Sequence, residues 1–388
     1  MKNRSLGFGG AVIVLLIMLI AAYFGVDILG LLPGDTPQPK VEPLPGSTPL
    51  PTLESVREAE SEPSDPTAAW YEIYFTNPTC PPEEERSGGL DEYIAADLAQ
   101  AETQVDIAAF DLDAEPIVNA LITLEGRGVK VRVVTDEDNA ELSSIRRLRR
   151  NGISVIEDKR RALMHNKFII VDGRFLWVGS MNFTTNGVYC NNNNIVRFDA
   201  PELAANYTTE MDEMYDQQLF GPDSPNNTPH EQLVIHGVQV ENYFSPEKEV
   251  APIIARAVAR AQQEILILAF TFTDDQIGEA ILGRADAGIP VRGVFETAGA
   301  DIEFSYYTIM KDAGIANVEV RKDGNGRVMH HKVIIIDRET VIFGSFNFSD
   351  SANRRNDENI IIVHDPTFTS FFVEEFGFVW DEAVAGNQ

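Results

Sequence analysis

The sequence predicts an α/β fold made of two similar halves. The first observation is an internal repeat, MHNKFIIVDGRFLWVGSMNF from Met164 and MHHKVIIIDRETVIFGSFNF from Met329, shifted by 165 residues. The second is that apolar, β-branched runs alternate with runs of helical spacing, which is typical of an α/β layer sandwich. The third is the length of 388 residues, which allows two such units around one shared core.

The first half begins with a run that alternates apolar and polar residues, as a half-buried strand does. We predict strands at 70–75, 104–110, 129–134 and 153–156, followed by the strands of the repeat. We predict helices at 90–101, 115–124, 141–150 and 202–219. The third of these helices ends at Asn151-Gly152, a common stop signal.

The second half repeats this order. Residues 265–272 correspond to 105–112, and 289–292 correspond to 129–132. The segment GPDSPNNTP between the halves predicts a loop by its composition.

Each copy of the repeat carries a His followed two residues later by a Lys, His165 with Lys167 and His330 with Lys332. The runs after each Lys are apolar and β-branched, which predicts buried strands. Since side chains two apart on a strand point to the same face, each His and Lys project together. An imidazole serves as nucleophile or acid/base near neutral pH, and an ammonium suits an anion.

Each copy then continues to a Gly-Ser and an Asn, which predict a turn with hydroxyl and amide donors. These residues are Ser180 and Asn182 in the first copy, and Ser345 and Asn347 in the second. Two copies together would surround one tetrahedral phosphate. Three of the six histidines fall within the repeat, which weighs against an ordinary structural role for them.

The pattern HxKxxxxDxxxxxxGSxN, complete in both copies, resembles the signature of the phospholipase D superfamily, from about residue 70 to the end. The resemblance implies that each half is a mixed β-sheet flanked by helices. It implies that the halves pack about a pseudo-twofold axis with one site at their interface. It also implies cleavage of a phosphodiester through a phosphohistidine intermediate, with no metal and no cofactor.

The resemblance further implies roles for single residues. The expected catalytic residues are His165, Lys167, His330, Lys332, Asn182, Asn347 and Glu358. The expected substrate-binding residues are Ser180, Ser345, Asn193, Asn194 and Asn359, and the expected structural residues are Asp172 and Asp337. We expect His165 to be the nucleophile and His330 the acid, oriented by Glu358. The matching position in the first half is Asn193, an amide that cannot stabilise an imidazolium by charge.

The N-terminus predicts a membrane anchor. Lys2 and Arg4 precede an uncharged run of 22 residues, which is long enough to span a bilayer. We expect a cytoplasmic N-terminus and a catalytic part outside the cell membrane, and a cleaved signal of a secreted protein is the alternative. The predicted parts are 1–26 (anchor), 27–69 (Pro-rich, acidic, semi-rigid linker), 70–220 (first half), 221–231 (loop) and 232–388 (second half).

The charge is strongly acidic, at −29 for the chain, with −6 in residues 27–69. Such a protein repels nucleic acid on average. The positive charge is clustered, however, in Arg146, Arg147, Arg149, Arg150, Lys159, Arg160, Arg161 and Lys167, with Arg354 and Arg355 after the second motif. This cluster is either a solvated face or a cationic funnel for an anionic substrate.

The cysteines are Cys80 and Cys190. The fold implied by the resemblance allows a disulfide between them outside the cytoplasm, although spacing alone leaves free thiols open. No cluster in the sequence indicates metal ligands.

The predicted function is hydrolysis of a phosphodiester, with a phospholipid head group as the favoured substrate because of the anchor and the acidic body. The alternatives are a metal-independent nuclease, for which nucleic acid is only a substrate, a transphosphatidylase like the cardiolipin synthases, and a non-catalytic phosphate-binding module. Two motifs in one chain mean that a monomer is expected to suffice for activity.

Overall fold

The computed structural model describes the backbone of Val56–Glu58 and all atoms of residues 70–383. Within these residues no helix is both long and apolar enough to cross a membrane. The predicted anchor at 1–26 and most of the predicted linker lie outside the described residues, so the structure does not test them. Val56–Glu58 forms a strand inside the predicted linker and pairs with the first strand of the body.

Eighteen strands are described. They are β1 (Val56–Glu58), β2 (Tyr71–Thr76), β3 (Gln104–Ala109), β4 (Lys130–Asp136), β5 (Val155–Asp158), β6 (Lys167–Val171), β7 (Phe175–Gly179), β8 (Asn191–Asn192), β9 (Asn194–Asp199), β10 (Gln232–Ile235), β11 (Val238–Ser245), β12 (Ile265–Ala269), β13 (Val291–Phe295), β14 (Val318–Lys322), β15 (Val328–Met329), β16 (Lys332–Ile336), β17 (Thr340–Gly344) and β18 (Glu358–His364).

The α-helices in the described part of the chain are α1 (Leu90–Leu98), α2 (Glu115–Gly126), α3 (Ser143–Arg150), α4 (Thr185–Tyr189), α5 (Pro201–Asp212), α6 (Ala251–Val258), α7 (Asp275–Asp286), α8 (Tyr306–Asp312), α9 (Asp350–Arg354) and α10 (Pro366–Glu382). The helix predicted at 202–219 therefore ends earlier. It passes into a π-helical turn at Glu213–Gln217, after which Gln218 adopts a left-handed conformation.

Two eight-stranded sheets share one strand order, which confirms the predicted fold of two similar halves. The first runs β1-β2-β9-β7-β6-β3-β4-β5 and the second β10-β11-β18-β17-β16-β12-β13-β14. Each sheet is mixed, because β3 and β12 pair in parallel with β4 and β13 but antiparallel with β6 and β16. The His-x-Lys motifs thus begin β6 and β16, central strands in their sheets.

The hydrophobic core has three layers. A central cluster joins the inner faces of both sheets to helices α5 and α10, with Tyr207 and Phe372 among its buried rings. Two further clusters lie on the outer faces, where α1 to α3 cover the first sheet and α6 to α8 cover the second. Burying each sheet on both faces explains why the strand runs are almost continuously apolar. The shared central layer holds the two halves together as one body.

Cys80 and Cys190 are joined by a disulfide. It links the segment after β2 to the residue before β8, so it fixes the chain close to the strand that carries Asn192. The amide of Cys80 also donates to the carbonyl of Tyr189 at 2.8 Å.

Asp172 and Asp337 sit in the turns that follow the two motif strands, both with positive φ. The Asp172 carboxylate accepts hydrogen bonds from the backbone amides of residues 102–104 and from the Thr103 hydroxyl. Asp337 accepts from the amides of residues 262–264 in the same way. Each carboxylate therefore fastens the turn to the start of the neighbouring strand, β3 or β12.

Replacing Asp172 with Ala is expected to lower the free energy of unfolding by roughly 1–3 kcal/mol, because backbone donors lose a charged acceptor. Burial alone would raise the pKa of Asp172, but the hydrogen bonds from residues 102–104 outweigh it and lower the pKa. The stabilisation is thus present above the unfolded pKa of about 3.9 and is lost as pH falls through the lower folded value. Urea unfolding near neutral pH measures it, with Asp286→Ala on the exposed end of α7 as control. Equal losses in both variants would contradict the assignment.

Candidate functional site

The first motif places His165 and Lys167 at the start of β6. The Lys167 ammonium is buried and donates to the carbonyl of His165 at 2.6 Å. The Phe110 ring, at the end of β3, packs edge-on against His165 with centroids 5.0 Å apart and lies 5.2 Å from the Lys167 Nζ. An ammonium has three donors, so Lys167 keeps N–H groups for an anion.

The second motif builds the same arrangement at the start of β16. Lys332 is buried and its Nζ donates to the carbonyl of His330 at 2.8 Å. The Phe270 ring packs against His330 with centroids 4.8 Å apart and lies 4.6 Å from the Lys332 Nζ. The two halves therefore present equivalent imidazole–ammonium pairs, each on an aromatic floor.

The backbones of the two halves cross where these pairs meet. The His165 amide donates to the carbonyl of Asp357 in the second half at 3.0 Å, and the His330 amide donates to that of Asn192 in the first half at 2.9 Å. Strand β8 pairs with β15, and Met164 bridges to Asp357 in the same parallel sense. Each His is thus held by the chain segment that follows the other motif. This crossing brings the two motifs into one site, as predicted.

The side chains cross in the same way, which corrects one prediction. Glu358 does not orient His330 of its own half; its Oε2 lies 2.7 Å from the Nδ1 of His165. His330 instead faces Asn193, whose Oδ1 lies 3.0 Å from its Nδ1, and the carbonyl of Ser180, also at 3.0 Å. The physical reason is the backbone crossing, since the residue after Asp357 or Asn192 necessarily points at the His that its neighbour holds.

These contacts fix the tautomers. A carboxylate facing Nδ1 of His165, and two oxygen acceptors facing Nδ1 of His330, both require the proton on Nδ1. The Nε2 atom of each neutral ring is then left with its lone pair available for chemistry. The rings differ in one respect, because only His165 has a buried carboxylate behind it to stabilise positive charge.

The two serines serve the orienting residues rather than the substrate. Ser180 Oγ donates to Asn193 Oδ1 at 2.9 Å, and Ser345 Oγ donates to Glu358 Oε2 at 2.7 Å. Each hydroxyl has one hydrogen, so neither is free to donate to a phosphate. Asn193 also gives its amide group to the carbonyl of Gly187 at 2.9 Å. The expectation that Ser180, Ser345 and Asn193 bind substrate is therefore wrong.

Asn194 and Asn359 were also expected to bind substrate, and the structure turns them to the opposite face of the motif strands. Asn359 donates to Asn166 Oδ1 at 2.7 Å, and the Asn194 amide lies 2.9 Å from His331 Nδ1. Asn166 and His331 stand between the His and Lys of each motif, so their side chains point away from the site.

A second pair of contacts continues this layer inward. Asn166 donates to Glu210 on α5 at 3.2 Å, and His331 Nε2 lies 3.1 Å from Glu375 on α10. Glu210 and Glu375 are themselves 165 residues apart. The layer behind the site thus ties both motif strands to the two central helices.

Burial dominates the electrostatics. It lowers the pKa of His165 to about 4, a shift that Glu358 partly opposes, and that of Lys167 to about 7. The pKa values of His330 and Lys332 also lie well below their usual ranges, first because of burial and then because of neighbouring cations. Two ammonium groups that burial makes reluctant to hold charge would both gain from an anion between them. The arrangement therefore suits a bound phosphate.

Two carboxylates of the site were missed in the sequence. Asp136, at the end of β4, accepts from the Met164 amide at 2.8 Å, and Glu296, just after β13, accepts from the Met329 amide at 2.7 Å. Burial raises the pKa of Asp136 to about 6 and that of Glu296 to about 7. A signal was present, since an acid follows the same strand in both halves, but the shift there is 160 residues rather than 165.

Asn182 and Asn347 lie in the turns after β7 and β17, as the motif predicts. The side-chain oxygen of each is buried and has no hydrogen-bond partner among residues 70–383. A buried acceptor without a donor costs about 1–3 kcal/mol, so a purely structural role gives no account of these amides.

The predicted cationic funnel is largely neutralised. Ion pairs join Arg146 to Glu141, Arg147 to Glu115, Arg149 and Lys159 to Glu157, Arg160 to Asp158 and Asp357, and Arg354 to Asp350. Several of these acids come from other elements of the fold, which a count along the sequence does not see. The cluster behaves mainly as a paired, solvated face.

Within residues 70–383, no group of three or more His, Cys, Asp or Glu side chains is arranged to hold a metal ion.

Comparison with known proteins adds independent information. A family described as "Cardiolipin synthase, PLD-like domain" matches residues 94–215 and 254–380, one segment in each half. A mitochondrial cardiolipin hydrolase of Chlamydomonas reinhardtii is 37% identical over 121 residues, 31% of this chain and 54% of that protein. A phospholipase D of Rickettsia felis is 31% identical over 138 residues, 36% of this chain and 68% of that protein. The chain spans about half the length of the cardiolipin hydrolases that it matches.

Among solved structures, the phosphatidylserine synthase of Haemophilus influenzae aligns with a TM-score of 0.61. The alignment covers 77% of this chain and 86% of that protein, with 11% sequence identity. At that identity the likeness concerns the fold alone, and it agrees with the two-sheet architecture.

Replacing Asn193 with Asp is expected to raise the pKa of His330, because a carboxylate 3.0 Å from Nδ1 favours the imidazolium. Histidine-selective NMR titration of the wild type and the variant measures the shift, and the His364 resonance on the far end of β18 serves as internal control. An unchanged His330 titration in a folded variant would contradict the cross-half contact.

Proposed function

Because the chain belongs to the family of phospholipase D-like domains, we propose that it is a phosphodiesterase that hydrolyses the head-group bond of a phospholipid and releases phosphatidate. The observation that carries this is the reciprocal site, in which two imidazoles with free Nε2 atoms and two buried ammonium groups converge across the halves.

In the proposed first step, His165 Nε2 attacks phosphorus, forming a P–N bond as the bond to the leaving oxygen breaks. The phosphorylated ring is positively charged, and Glu358 behind its Nδ1 stabilises that charge. This supports His165 as the nucleophile. Lys167, Lys332, Asn182 and Asn347 would hold the non-bridging oxygens, and such pre-aimed donors are typically worth several kcal/mol in the transition state.

His330 serves as the acid that protonates the leaving alcohol. Its free-state pKa lies well below the usual range, but a phosphate anion beside the ring favours the imidazolium, so substrate itself helps to load this proton. In the second step the neutral His330 removes a proton from water, and the resulting hydroxide attacks phosphorus and releases His165. Each histidine returns to its starting state.

Three observations support a lipid substrate. The relatives named above are a cardiolipin hydrolase and a phospholipase D. The net charge of −29 and the ion-paired arginines disfavour a polyanion. The predicted anchor would hold the site beside a membrane, and the disulfide agrees with a location outside the cytoplasm.

Incubation of the full chain with phosphatidylcholine and ethanol in mixed micelles is expected to yield phosphatidate and phosphatidylethanol, and incubation with single-stranded DNA no products. The proposed mechanism also predicts that His165→Ala and His330→Ala each lose roughly 10³-fold or more in kcat, while His364→Gln on β18 does not. Cut DNA with intact lipid would establish a nuclease instead. Binding of inorganic phosphate without turnover of either substrate would leave only the phosphate-binding module.

The pH profile is predicted by Lys167. Since its pKa in the free protein is lowered to about 7, kcat/KM is expected to fall about tenfold per pH unit above that value as the ammonium loses its proton. The kcat limb is expected at higher pH, because a bound phosphate favours the charged lysine. Initial rates with bis(4-nitrophenyl) phosphate separate the two profiles. Identical alkaline limbs in both would sink this assignment.

A further inference from the structure

Asp111 is a carboxylate at the site that the proposed mechanism does not use. It follows Phe110, whose ring supports both His165 and Lys167. Its Oδ1 atom is buried and has no hydrogen-bond partner in the described part of the chain. Lys167 is the cation that acts on it most directly, and Asp111 in turn favours the charged form of Lys167. The carboxylate therefore lies within electrostatic reach of the place where phosphate would bind.

The second half shows that the fold does not require this acid. Its counterpart is Thr271, which follows Phe270 beneath His330 and Lys332. The backbone is arranged alike in both halves, since Leu112 bridges to Phe183 and Phe272 bridges to Phe348 in the same parallel sense. One wall of the site thus carries a carboxylate where the other carries a neutral hydroxyl.

A carboxylate at this point is unfavourable in two ways without a ligand partner. It repels the phosphate that Lys167 attracts, and its buried oxygen lacks a donor, which costs about 1–3 kcal/mol. Burial, and then Asp113, raise the pKa of Asp111 to about 6, while Lys167 opposes the shift. The group is nevertheless ionised above that pH and remains an acceptor without a donor. A donor on the substrate removes both penalties.

We propose that Asp111 selects substrates whose phosphate carries a hydroxyl or ammonium donor on its substituent, a donor that binds the free carboxylate oxygen beside Lys167. The inference rests on the proposed phosphodiesterase function and names the substrate class for that site. Two head groups supply this chemistry, the glycerol hydroxyls of phosphatidylglycerol and the ammonium of phosphatidylethanolamine. Phosphatidylmethanol has the same diester and no donor.

The test compares kcat/KM of the full chain on these three lipids in mixed micelles at about pH 8, where Asp111 is ionised. Asp111→Thr copies the second half, and Asp111→Asn keeps the shape of the side chain. Both variants are expected to lose about tenfold on phosphatidylglycerol or phosphatidylethanolamine, a loss of one hydrogen bond to a charged group. Turnover of phosphatidylmethanol is expected to hold or rise, and the lipid that loses identifies the donor.

Asp113→Thr is the matched control. This neighbouring acid is exposed, corresponds to Thr273, and accepts from the Thr185 amide at 2.7 Å. It removes the same charge from the same loop and is expected to leave the lipid ratios unchanged. In the wild type, preference for the donor-bearing lipids is expected to fade below about pH 6, as Asp111 gains a proton.

Equal losses on all three lipids, or unchanged ratios in both Asp111 variants, would overturn the inference while the phosphodiesterase function stands. Failure of the wild type to cleave any of the three would remove the proposed function, and the inference with it.

Discussion

The exchange of orienting groups between the halves is the constraint on which the rest of the structure depends. His165 takes its backbone acceptor and its carboxylate from the second half, and His330 takes its backbone acceptor and its amide from the first. Neither imidazole is positioned by its own repeat. The central core of α5 and α10 between two sheets is what keeps these contacts in register. A rigid layer of packed side chains is a suitable support for such geometry, since interiors resist small displacements.

Burial then sets the chemistry. The two lysines sit in a setting of low polarity, on aromatic floors, with Asp136, Glu296 and Glu358 close enough to support their charge. In such a setting charged groups interact more strongly than in water, so the free site holds unused attraction for an anion. The same burial keeps both imidazoles neutral until an anion arrives. Recognition of phosphate and readiness for proton transfer therefore have one physical origin.

The repeat was sufficient to predict the two-sheet fold, the convergence of both motifs and the side that each His and Lys share, because strand periodicity and spacing are local properties. The partner of Glu358 was not predictable in this way. A constant spacing places Glu358 relative to His330, whereas the true contact with His165 depends on how two sheets pack. Asp136 and Glu296 escaped for a related reason, since an insertion between β13 and the motif changes their shift. The pairing of the arginines likewise involves acids distant in sequence.

The asymmetry between Glu358 and Asn193 has a consequence for how the two copies can diverge. A change at position 193 leaves the motif of its own half untouched and is felt by the ring at position 330. Drift in either copy is thus judged in the other, so the duplicated halves cannot specialise independently. Although the ancestral symmetry is still visible in the backbone, each half has become the custodian of its sister's histidine, and a lone half would be left with neither ring correctly held.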